Sequence, residues 1–116
     1  MKENIIKNKS FEFAIRVVKL YKYLCEEKKE FVMSKQLLRA GTSIGANVYE
    51  AEKGVSKRDW ANKLAIALKE ANECQFWIDL LHSTDYLAIK EYEIVKNDCN
   101  EINRLLASIV KTSFAK

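Results

Sequence analysis

The sequence contains no proline, and Gly41, Gly45 and Gly54 are its only glycines in 116 residues. Proline and glycine are the residues that most often interrupt regular structure. A chain almost free of them, and rich in Lys, Glu, Leu, Ile and Ala, is expected to be all-α. It is 48% hydrophobic and 31% charged, a globular balance, and its length suits one domain. The spacing predicts four helices with short turns, an antiparallel up-down-up-down four-helix bundle spanning 1–116 as a single domain. Residues 1–9, polar and basic, are expected to fray.

The first helix is expected over about 10–30, with Ser10 as N-cap. Phe11, Ala14, Ile15, Val18, Tyr21 and Cys25 form one apolar stripe, and Phe13, Val17, Leu20 and Leu24 a second beside it. The second helix starts near Ser34 and ends at Gly54, read as a left-handed C-terminal glycine. In the third, Ser56 is the expected N-cap, with Asp59 at the third helical position and Lys63 four residues further on for an ion pair. Trp60, Leu64, Ala67, Ala71, Cys74, Ile78 and Leu81 make its main stripe, while Ala65, Ile66, Phe76, Trp77 and Leu80 lie on other sides. The fourth covers about 88–112, with Ile94, Cys99, Ile102, Leu105, Leu106, Ile109 and Val110 on its apolar side. One stripe suffices for a surface helix of a monomer. Two helices with more than that predict self-association.

Interior glycines cost a helix about 1 kcal/mol each relative to alanine, so Gly41 and Gly45, four apart, are expected where another helix approaches closely. Ser43, Asn47 and Glu50 share one face of the same helix, and Glu70, Glu73 and Trp77 line the next. The two rows are expected to meet in a hydrogen-bonded polar seam, because buried polar groups must be paired. The competing chemistry is acid–base work by Glu70 and Glu73. It would require a nucleophile, a pocket or a metal, and "EANE" at 70–73 lacks the histidine of a Glu-x-x-His di-iron motif. No phosphate-binding loop or dinucleotide fingerprint occurs. The expectation is a non-enzymatic protein without cofactor. Cys25, Cys74 and Cys99 are far apart and odd in number, with His82 the only histidine. They read as small buried hydrophobes rather than a zinc set.

No apolar run reaches the ~18 residues of a membrane span and no signal-peptide pattern opens the chain, so the expected location is the cytoplasm. The net charge of +4 is unevenly spread: residues 1–63 hold 14 Lys/Arg against 8 Asp/Glu, and residues 64–116 hold 6 against 8. A basic half suits a polyanion or is simply a solvated face. Trp60, Phe76, Trp77 and Tyr86 could stack on bases, or fill a core or interface at their helical spacing.

The stretch "LLRAGTSIGANVYEAEKGVSKRDWANKLAIALKEANECQFWIDLL", Leu37 to Leu81, resembles the 23S rRNA intervening-sequence protein family of bacterial four-helix-bundle proteins. The resemblance is carried by S-I-x-x-N, E-A, S-K-x-D and K-L-x-I-A-L-K-E-A-x-E with a tryptophan shortly after. It implies a homopentamer with a central channel, some members being encoded within sequence inserted into 23S rRNA genes. A related bundle, the accessory variability determinant of diversity-generating retroelements, is a basic pentamer that partners a reverse transcriptase and binds nucleic acid. No catalytic residues carry over. The resulting expectation is an oligomeric scaffold presenting a basic surface to RNA or to a nucleic-acid enzyme. Its candidate contacts are Lys19, Lys22, Lys28, Lys29, Lys35, Arg39, Lys53, Lys57 and Arg58. The alternative is a protein-interaction module that binds a helical partner through its second apolar face, with no nucleic-acid role.

Overall fold

The computed structural model describes residues 2–114, and among them there are four helices and no strand: α1 (Lys2–Glu26), α2 (Met33–Ala51), α3 (Lys57–Ser83) and α4 (Ile89–Phe114). Each helix packs on its neighbour in the chain, and α1 also meets α4 along a thinner contact. The Cα atoms of α1 and α3 come nowhere within 8 Å of each other, nor do those of α2 and α4, so each pair occupies opposite corners of an elongated body of 46 × 21 × 20 Å. This is an all-α fold consistent with a four-helix bundle.

The first helix begins eight residues earlier than its sequence cap suggests. Ile6, Ser10, Phe13, Val17 and Leu24 are all buried at three-, four- and seven-residue spacing, so the apolar stripe continues one turn and more before Ser10. That burial stabilises the turn expected to fray; Met1 lies outside the described residues. Ser10 is consequently interior, its hydroxyl donating to the Lys7 carbonyl at 3.1 Å. Of the two stripes on α1, the one through Phe13 and Val17 is core, whereas Phe11 is 67% exposed and Ile15 43%.

The turns differ from one another in how they are closed. Between α1 and α2, Lys29 adopts a left-handed φ of 55° and the Glu30 amide donates to Leu24 O at 3.0 Å. The Glu30 carboxylate then accepts from the amides of Val32, Met33 and Ser34 at 3.1, 2.9 and 2.7 Å, serving three orphan donors at the start of α2. Gly54 does not have the left-handed φ expected of it, since no described glycine does. α2 ends at Ala51, and Gly54 answers a need for space: a Cβ there would lie 3.2 Å from Ala51 O and 3.3 Å from Asp59 Cβ. Ser56 caps α3 as expected, accepting from the Asp59 amide at 3.1 Å. The third turn uses Asp85 at φ 70°, with the amides of Tyr86 and Leu87 both donating to Leu81 O.

The core stripe of α3 runs through Leu64, Ala67, Ala71, Cys74, Ile78 and Leu81, joined by Ala61; Trp60 is only half-buried. On α4 the inward residue near the start is Val95, not Ile94, which is 43% exposed. Cys74 and Cys99 are fully buried, and the Cys99 thiol donates to Ala71 O at 3.5 Å. Hydrogen bonding to Cys99, then burial, pushes the Cys74 thiol far above its ordinary range.

Candidate functional site

α2 presents two different flanks, and the residues singled out in the sequence divide between them. Gly41 and Gly45 face α1. A Cβ on Gly41 would lie 2.8 and 2.9 Å from the two Cγ atoms of Val17, while one on Gly45 would sit 3.4 Å from Ser10 O. The glycines thus let α1 approach α2 closely, and the line ends in an ion pair between Lys7 and Glu52 at 3.1 Å.

The flank toward α3 is charged. Arg39 on α2 pairs with Glu70, at 3.3 Å, and with Glu73 on α3. Trp77 Nε1 donates to Glu73 Oε2 at 3.1 Å, and Lys63 Nζ reaches Glu50 at 2.9 Å. The Trp77 bond chiefly, with Arg39 outweighing burial, holds the Glu73 carboxyl below the usual carboxylate range. In turn the hydrogen bond to Glu73 raises the Arg39 pKa further. The two rows do not pair as expected: Glu70, Glu73 and Trp77 gather around Arg39, Glu50 pairs separately with Lys63, and Ser43 and Asn47 do not cross to α3. The Ser43 hydroxyl donates to Arg39 O at 2.7 Å and the Asn47 amide to Ser43 O at 2.8 Å, both within α2. Short polar side chains in a helix satisfy themselves on the preceding turn; only the long ones reach across. Lys63 likewise turns to Glu50 instead of Asp59. Arg39, a candidate for the basic surface, belongs to this cluster.

The other eight basic candidates are all exposed, and none forms an ion pair. Lys22, Lys28, Lys29 and Lys35 surround the α1–α2 turn. Lys53, Lys57 and Arg58 surround the α2–α3 turn, with Lys53 Nζ 5.5 Å from the Tyr49 ring centre and Val55 93% exposed at the tip. The 19 residues of α2 put these groups about 28 Å apart. Lys19 lies along α1, in a groove against α4 with Tyr23 and Glu91. Trp60, Trp77 and Tyr86 are half-buried and pack on the core, which leaves Phe76, 57% exposed, as the freest aromatic of the four.

One polar cluster was missed in the sequence. Asp79 Oδ1 accepts from Tyr92 OH and Lys96 Nζ, each at 2.8 Å, and the His82 ring stacks on Tyr92 with centres 4.1 Å apart. His82 Nδ1 lies 2.8 Å from Leu87 O, fastening the third turn. Burial would raise the Asp79 pKa, yet Lys96 and Tyr92 outweigh it and lower it. Its only sequence trace is the pair of spacings 79/82 and 92/96. Among the described residues, no group of three or more His, Cys, Asp or Glu side chains could hold a metal ion, and no helix is long and apolar enough to cross a membrane.

Comparison with known proteins adds the lineage. No curated protein matches the chain. A crystal structure of a protein with unknown function from the S23 ribosomal protein family of Bacteroides thetaiotaomicron is 59% identical. It superposes with a TM-score of 0.93, covering 96% of this chain and 99% of the other. The model of the 23S rRNA-intervening sequence proteins matches residues 2–108, nearly the whole sequence. The chain belongs to the 23S rRNA-intervening sequence protein family.

Proposed function

We propose that this protein is a non-enzymatic, cytoplasmic helical scaffold that self-assembles and presents its basic turns to RNA or a nucleoprotein partner. The observation that carries the proposal is the set of eight exposed cations without a carboxylate partner, gathered mainly at two turns. Unpaired surface cations release counterions on meeting phosphates, the main source of sequence-independent affinity. Glu70 and Glu73, the residues available for acid–base chemistry, are instead acceptors for Arg39 and Trp77. An antiparallel up-down-up-down arrangement is supported by the order of cross-helix pairs. Early Arg39 meets late Glu73 while late Glu50 meets early Lys63, and Lys9 and Arg16 on α1 meet Glu101 and Asp98 on α4. Assembly as a homopentamer is the form that the family resemblance implies, and it would repeat both basic turns around an axis.

Titration of a structured RNA against the purified protein at increasing NaCl tests this reading. The expected log–log slope is a few units. Lys53→Glu, Lys57→Glu and Arg58→Glu together should weaken binding at least tenfold, and no binding at 20 mM salt would end the RNA proposal. A second reading, a helical protein partner, draws on the exposed side chains of Phe11, Tyr49 and Phe76. A concentration-independent monomer in solution would favour it over self-assembly.

A further inference from the structure

The outer line of α2 carries free charge only at its ends. Lys35 and Lys53 are exposed and eighteen residues apart, which is five turns of the helix, so they stand on one side of it about 27 Å from each other. α2 ends at Ala51, but Glu52 keeps helical φ and ψ and the Lys53 amide donates to Glu50 O at 3.0 Å, which carries the spiral on to Lys53. Between the two lysines the same line shows Thr42, Ala46 and Tyr49, all uncharged. Arg39, at its edge, is neutralised by Glu70 and Glu73. Each end keeps a surplus of cations. At the first turn Lys22, Lys28, Lys29 and Lys35 outnumber the exposed Glu26 and Glu27, and at the second Glu50 and Glu52 are already matched by Lys63 and Lys7.

We infer that the RNA this protein takes is a double helix, laid along α2 with phosphates one helical turn apart on Lys35 and Lys53; the inference rests on the RNA reading proposed above. An A-form duplex repeats about every 30 Å, close to the span of the two lysines, whereas B-form DNA repeats about every 34–36 Å. The uncharged middle of α2 suits the same partner. Tyr49 is 60% exposed, and its hydroxyl has no hydrogen-bond partner among the described residues. A-form RNA lines its wide, shallow minor groove with 2′-hydroxyls, which such a group can bond and which DNA lacks.

Single strands are held differently, by aromatic faces on which successive bases stack. The Tyr49 ring already has Lys53 Nζ 5.5 Å from its centre, Trp60, Trp77 and Tyr86 are half-buried against the core, and Phe76 is on α3. That leaves Phe11, on α1, as the one free ring beside the middle of α2 among the described residues. One ring is too few for a strand of several nucleotides between the basic ends.

Fluorescence anisotropy with four labelled probes tests this. They are an RNA duplex of about 20 base pairs, one of about 8, which is short of a full A-form turn, a single RNA strand without self-complementarity, and the DNA duplex matching the longer RNA. The long RNA duplex should bind at least tenfold more tightly than the single strand and the DNA. Lys35→Glu and Lys53→Glu, each alone, should weaken the long duplex at least fivefold but the short one no more than twofold, since the short duplex still has the other end to sit on. Both positions are exposed, and far-UV circular dichroism should show unchanged helix content. A single strand or a DNA duplex bound as tightly as the long RNA duplex, or charge variants whose effect ignores duplex length, would overturn the duplex and leave RNA binding intact. Failure of every RNA probe to bind at about 20 mM salt would overturn both.

Discussion

The two flanks of α2 are held by opposite means. Toward α1 the contact is close, set by Gly41 against Val17 and Gly45 against Ser10, with a single ion pair, Lys7 to Glu52 at 3.1 Å, at the end of the helix. Toward α3 it adds long charged side chains, Arg39 to Glu70 and Glu73 and Lys63 to Glu50, at exposures between 16% and 57%. Close-packed contacts depend on shape and fail abruptly when a methylene is added. Exposed ion pairs depend on solvent and fail gradually, each contributing about 0–1 kcal/mol. Stability should therefore concentrate on the α1 side, and pairing order between helices on the α3 side.

The largest effect is expected from Gly41→Val. Its Cβ alone falls within 3 Å of a β-branched side chain that is fully buried, and overpacking of this kind costs on the order of 3 kcal/mol. Urea denaturation measures it; a loss below about 1 kcal/mol would show that α1 can retreat. Next is Glu30→Gln, at the point where α2 begins. Replacing the carboxylate weakens three charge-assisted bonds and should cost about 2 kcal/mol at pH 7. Burial raises the Glu30 pKa, and the amides of Met33, Ser34 and Val32 outweigh it, leaving it below the ordinary value. A depressed folded-state pKa gives stability that is fully present above the unfolded value, about 4.3, and lost as pH falls through the folded one. The melting temperature of the wild type should thus drop between about pH 5 and pH 3 by more than that of the Gln variant.

On the α3 side, Arg39→Ala should cost about 1 kcal/mol or less, and a double-mutant cycle with Glu73→Ala should return a coupling near 0.5 kcal/mol that fades in 1 M salt. A coupling that salt leaves unchanged would erase the contrast between the flanks. The smallest effect, with the opposite sign, belongs to Gly45→Ala. A Cβ there makes an ordinary contact with Ser10 O, so the gain in helix propensity, about 0.5–1 kcal/mol, should survive. Two glycines one turn apart then report how quickly the α1–α2 approach opens.

The sequence made the helices legible because their apolar residues recur at helical spacing, and it made the cap at Ser56 legible because capping is local. It also placed Glu50, Glu70, Glu73 and Trp77 on facing rows, since i, i+3 and i+4 spacing fixes a face. Which partner each would choose was not legible. Arg39 reads as a free surface cation until α3 brings two carboxylates to it, and Ser43 reads as a cross-helix donor until its short reach turns it onto Arg39 O. The start of α1 was hidden for a related reason. Ile6 counts as core only once the neighbouring helices supply something to bury it against. Gly54 looked like a backbone signal when its constraint is the nearness of Asp59 and Trp60.

The buried thiols have a consequence for observing the molecule in motion. Only a thiolate attacks an alkylating reagent, and Cys74 and Cys99 are shut away from water, with Cys74 held strongly in its thiol form. Half-buried Cys25 is expected to be modified first, whereas modification at the fully buried Cys74 and Cys99 should await the parting of α3 from α4. The chain thus carries its own stopwatch: the rate at which mass is added at Cys74 and Cys99, relative to Cys25, counts the openings of one helix pair without a label being introduced.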